Sequence, residues 1–154
     1  AGKGSTVAHG SANLTVAKLR DAKKTMDTNN VPAEDRHMII HANNLANLLS
    51  ETAVTSADFN TVRALVSGEL DTFLGFKFHT LGDRTEGGLS IDGSSIRSCL
   101  AFHKTAIGYG EGIGPKTEIN YVPEKTSHLV NAMLSACSVA IDGEGIVEVQ
   151  ADES

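Results

Sequence analysis

Apolar positions recur at three- and four-residue intervals in the first third of the chain and at two-residue intervals later, which predicts helices first and strands afterwards. From Thr15 to Asp27, "TVAKLRDAKKTMD" sets Val16, Leu19, Lys23 and Met26 on one helical stripe. Thr15 or Asn13 can cap its start, and Lys23 and Lys24 suit the negative end of the helix dipole. The "NNVP" that follows stops it, because Pro32 disfavours helix at Val31. "RHMIIH" is an apolar run of strand length, and "ANNLANLLSE" reads as one or two helical turns. Ser56 can cap a second good helix, "ADFNTVRALVSGEL", with Phe59, Val62, Leu65, Val66 and Leu70 on one face.

Beyond it, "DTFLGFKFHTL" alternates Leu74, Phe76 and Phe78 against Gly75, Lys77 and His79, the pattern of a half-buried strand. Residues Gly82 to Ser95, rich in glycine and poor in apolar residues, predict an exposed excursion between two strands. "IRSCLAFHKTAIGYG" reads as a strand running into a short helix near Ala106, "GYGEGIG" as a loop, "TEINYV" as a strand, and "IDGEGIVEV" as a turn into a last strand. The segment "SHLVNAMLSACSVAI" fits a helix by its Leu129, Met133, Ala136 and Ala140 spacing, and equally a long buried strand. Helices and strands mix without strict alternation, so the fold class is α+β.

With 154 residues the chain has room for one domain with a real core. Aromatic residues make up only 5% and tryptophan is absent, so aliphatic side chains and glycine dominate the packing. A net charge of -6 with scattered basic residues argues against sequence-specific nucleic-acid binding. Cys99 and Cys137 lie in no metal or redox spacing and read as buried thiols of a reducing cytosol. There is neither a signal-peptide pattern nor an apolar run of membrane-spanning length. The opening "AGKGSTVAHGSA" reads as a flexible arm, a processed end or a cut inside a longer protein.

Candidate chemistry is sparse. His37 and His41 stand four apart in "DRHMIIHANNL", which on one helix face would suit zinc with His103 or Glu51 as a third ligand. The apolar "MII" between them favours a strand, where residues four apart lie roughly 13 Å from one another. The glycine loop "GYGEGIGPK" lacks P-loop spacing because Pro115 intervenes. No nucleophile elbow surrounds Ser94, Ser95 or Ser98, and Cys99 near His103 reads as a core residue. The chain is therefore expected to be no enzyme and to need no cofactor; a small zinc-dependent hydrolase and a non-catalytic interaction domain are the alternatives.

The order of "NVPAEDRHMIIHANNLANLLSE", then a helix ending "SGELDTFLGFKFHTLGDR", resembles the major capsid proteins of tailed bacteriophages, of the Hong Kong 97 type. Pro32, Arg36, Ile39, Ile40, Leu48, Leu49, Gly68, Leu74, Gly75 and Phe76 carry the likeness, and "LAFHKTAIG", "TEINYVPEK" and "IDGEGIVEVQ" are similar to the closing half of such proteins. The resemblance spans about Leu14 to Asp152, while the family's N-terminal arm and extended loop have no counterpart, which implies a C-terminal portion. It implies a flexible arm or truncated end at 1–13, a peripheral domain at 14–37 and 115–154 with the first helix as its spine, and an axial domain at 38–114. Ser127 to Ile141 would be a long strand of the peripheral sheet. The implied partners are capsid neighbours, scaffolding or portal proteins, and packaged double-stranded DNA held only non-specifically, with no membrane. The implied location is the virion, assembled in host cytoplasm. Asp83, Arg84, Glu86 and Arg97 are the candidate subunit-interface residues.

Overall fold

The computed structural model describes residues 4–50, 72–84, 87–89 and 91–154. The expected helix after Ser56, together with Glu51, Gly68 and Glu86, lies outside them. A short strand, β1 (Ser5–Val7), and an irregular stretch at 8–15 lead to helix α1 (Val16–Thr28). The Thr15 hydroxyl accepts from the Lys18 N–H and caps it as expected. Its other end is a Schellman turn: Asn30 takes φ +55°, and the N–H groups of Asn30 and Val31 donate back to the carbonyls of Asp27 and Met26. Val16, Leu19 and Met26 face the core, as the spacing predicts, while Ala22 is buried there in place of the expected Lys23, which is only half-buried; Lys18, not anticipated, is also buried, its Nζ bonded to the carbonyls of Ala12 and Gln150.

β2 (Arg36–Ile40) and α2 (Ala42–Ser50) follow, then a hairpin of β3 (Thr72–Phe73) and β4 (Phe76–Thr80), then β5 (Ile96–His103). The continuous strand expected through Leu74, Phe76 and Phe78 is broken. Leu74 and Gly75 both have positive φ, and Phe73 pairs with Phe76 across them. That is the two-residue turn whose twist suits an antiparallel pair. After β5 a 3-10 turn at Lys104–Ala106, where a short helix is expected, leads into β6 (Ile107–Val122), β7 (Ser127–Ala140) and β8 (Ile146–Asp152).

Six strands form one mixed sheet in the order β1-β8-β5-β2-β4-β3. Met38 and Ile40 of β2, Cys99 and Ala101 of β5 and Val147, Val149 and Ala151 of β8 project from one face, where they meet Leu19, Ala22 and Met26 of α1 and Leu48 of α2. This helix-on-sheet layer is the core, an α+β arrangement as expected. The segment read as an arm contributes β1, which pairs with β8 in parallel. The expected 37/38 boundary falls within β2 of this sheet, and the 114/115 boundary within β6. Arg36, buried at the start of β2, clasps α1 to the sheet: it donates to the carbonyls of Val31 and Pro32 and pairs with Asp27 at 2.7 Å.

The glycine-rich stretch expected as a loop is part of β6 instead. Among the described residues β6 and β7 pair only with each other, through thirteen residue pairs with bulges after Glu111 and Ile113. The glycines make room for the partner strand: a Cβ on Gly108 would stand 2.8 Å from Ile141 Cδ1. Ser127 to Ala140 is thus a strand, but an exposed one in a ribbon of its own, not a buried one in the larger sheet.

Candidate functional site

The ribbon is the largest feature the core does not explain. At about 3.3 Å per residue, its fourteen-residue strand β7 is roughly 45 Å long. Side chains directly opposite one another share a face, so the register places Tyr109, Ile119 and Tyr121 of β6 with Val130 and Leu134 of β7 on one side. Tyr109, Ile119 and Leu134 are 68%, 66% and 64% exposed. The opposite side is mixed, with Leu129 and Val139 beside Asn120, Asn131 and a Lys116–Glu118 ion pair at 2.7 Å. A two-stranded ribbon has little stability alone in water, and an apolar patch of this size marks an interaction surface. Cys137, expected to be buried, is exposed on this ribbon.

A second cluster surrounds the loop between β4 and β5. Arg97 is buried; its Nε and Nη2 donate to Glu153 at 2.7 and 3.1 Å, and Nη1 donates to Asp83 at 2.5 Å and to the Leu89 carbonyl. The guanidinium therefore ties the C-terminal end and the loop to β5. Asn43 and Asn44 of α2 donate to the same Glu153 carboxylate, and Asn44 also donates to Asn13 and accepts from the Cys99 thiol. Burial works to raise the Glu153 carboxyl, but the Arg97, Asn43 and Asn44 bonds outweigh it and hold it below the usual range. Asp83, exposed, is lowered by its bond from Arg97. Burial pushes the Cys99 thiol up to about 11.

Of the candidate interface residues, Asp83 and Arg84 are exposed on this loop, Glu86 lies outside the described residues, and Arg97 points inward to hold the loop. Asn44 and Glu153, absent from the sequence-level candidates, turn out to be its centre. The alternation of β5 carries the signal for Arg97, since it puts Arg97 on the same side as Cys99 and Ala101; no local pattern points to Glu153.

The histidines do not converge. His41 precedes α2, where its Nδ1 accepts the Asn43 N–H and its Nε2 stands 3.7 Å from Asp83. His37 lies on the other face of the sheet against His79 and Phe102. His103 accepts the Thr105 N–H and caps the 3-10 turn. Among the described residues no group of three or more histidine, cysteine or acidic side chains could hold a metal. None of their helices is long and apolar enough to cross a membrane.

A family model described as phage capsid protein matches residues 2–153. Among solved structures, one from Mycobacterium phage Che8 is 21% identical with a TM-score of 0.70, covering 96% of this chain and 53% of that one. The capsid structure of cyanophage P-SCSP1u is 22% identical with a TM-score of 0.65, covering 99% and 54%. The acidic stable capsid structure of Helicobacter pylori bacteriophage KHP30 is 10% identical with a TM-score of 0.66, covering 99% and 61%. The chain thus spans little more than half the length of the structures it matches. No curated protein sequence matches.

Proposed function

This chain belongs to the phage capsid protein family, and from that premise we propose that it is coat material: a major capsid subunit, or part of one, that associates with copies of itself into capsomers and an icosahedral shell around double-stranded DNA. The observation that carries this reading is the ribbon, whose apolar face meets water in the single chain and is covered when subunits pack into a lattice. Repetition of one interface about rotation axes closes identical subunits into rings and shells.

On this reading the work is structural. The buried polar cluster around Arg97 has all its donors and acceptors matched within the chain, which is what a scaffold requires rather than a reacting centre. The loop that Arg97 holds presents Asp83 and Arg84 to a neighbour. Scaffolding and portal proteins are further partners, the DNA is touched only non-specifically, and the product resides in the virion after assembly in host cytoplasm.

Negative-stain electron microscopy of the complete open reading frame containing these residues, expressed alone, tests the proposal. Shells, tubes or five- and six-membered rings are expected. A monodisperse small particle at every salt and pH tried would overturn it.

A further inference from the structure

His37 of β2 and His79 of β4 lie on one face of two parallel neighbouring strands, two residues out of register, with Nδ1 of the first 2.9 Å from Nε2 of the second. Their ring centroids are 5.2 Å apart with planes 25° from parallel. That separation is accounted for by the N···N distance and the two ring radii, so the rings meet end to end. Face-to-face stacking would bring the centroids nearer. The contact is therefore an N–H···N hydrogen bond in line with both rings.

Such a bond counts protons. With both rings neutral, one nitrogen donates and the other accepts; with one added proton an N–H still faces a lone pair. With both rings charged, two N–H groups face each other and the bond is replaced by repulsion. We propose that His37 and His79 form an acid-opened clasp between β2 and β4, closed while at most one of the two rings is charged and open when both are.

The surroundings favour a clasp that resists the second proton. Facing His37 are His79 and Lys77 from β4, Lys104 just after β5 and Asp35 just before β2, with Phe102 of β5 against its ring. Burial lowers the His37 pKa most, His79, Lys77 and Lys104 add to the effect, and Asp35 opposes it. A histidine lowered in the folded state binds fewer protons there than in an open one. Its contribution is complete above the ordinary histidine value of about 6.5 and is lost as pH falls from there through the lower folded value. What opens is local, because among the described residues β4 joins the sheet through β2 alone and carries only the two-residue β3 beyond it.

The test is nuclear magnetic resonance of the full chain labelled with nitrogen-15. A through-hydrogen-bond coupling between His37 Nδ1 and His79 Nε2 is expected near neutral pH and is expected to vanish by about pH 5. Over the same range amide protection at Leu81, whose N–H donates to the Ile40 carbonyl of β2, should fall relative to that at Val149 of β8. That fall should be absent in His79→Gln and in His37→Gln. Absence of the coupling at neutral pH, or an equal loss of protection in both variants, would overturn the proposal. Neither readout depends on capsid assembly, so the clasp and the coat function stand or fall separately.

Discussion

Arg97 grips the carboxylate of Glu153 with two parallel hydrogen bonds, 2.7 and 3.1 Å long, and both side chains are withdrawn from water. The pair joins Glu153, just after β8, to β5 in the middle of the sheet. Truncating one partner strands the other as an uncompensated buried charge, which costs about 3–5 kcal/mol. Arg97→Ala is thus expected to lower the denaturant midpoint severely, whereas Arg84→Ala on the neighbouring loop should leave it within about 0.5 kcal/mol of wild type.

Acid should weaken the same cluster by a second route. The Glu153 carboxyl is held below its ordinary range, so the unfolded chain binds more protons than the folded one as pH drops. The stability it contributes is complete above the unfolded value, about pH 4.3, and is lost on falling through the lower folded value. Thermal unfolding followed from pH 6 downward should show this loss in wild type and a shallower one in Glu153→Gln.

The two thiols should differ in reactivity. Cys137 is exposed on the ribbon, and Cys99 is buried with its pKa pushed up to about 11. The thiolate is the reacting form. A maleimide at pH 7 is expected to label the unassembled chain at Cys137 within the time that Cys99 stays unmodified, with both labelled in denaturant. Equal labelling of the native chain would contradict the placement of β7.

Gly75 supplies a positive φ of 87° with no neighbour near its missing Cβ. Gly75→Ala therefore meets a purely conformational cost of about 1–2 kcal/mol. Its unfolding free energy should fall by that amount, seen as a lower denaturant midpoint without a change in slope.

Much of the helix-and-sheet body is readable from local pattern. Thr15 caps α1, Val16, Leu19 and Met26 turn inward, and "RHMIIH" is a strand because each of these depends on neighbours within a few residues. The reading fails where distant pairing decides. Period-two alternation through Leu74 is real, yet the pair of positive-φ residues folds it into a hairpin. The glycines at 108 and 110 look like loop until β7 is laid beside them, and Cys137 looks like core until β7 is seen to lack a covering layer. Glu153 meets Arg97 across fifty-six residues, beyond any local signal.

The central claim is that the ribbon's apolar face is an assembly surface. Ile119 and Val130 lie directly opposite one another on it, so Ile119→Lys with Val130→Glu replaces an apolar pair by a cross-strand ion pair that keeps the ribbon compatible with its fold. The measurement is electron microscopy and sedimentation of the complete open reading frame with and without this double change. Shells or rings from the unaltered protein and dispersed subunits from the variant, at an unchanged unfolding midpoint, are the predicted result. A variant that assembles as fully as the unaltered protein would contradict it.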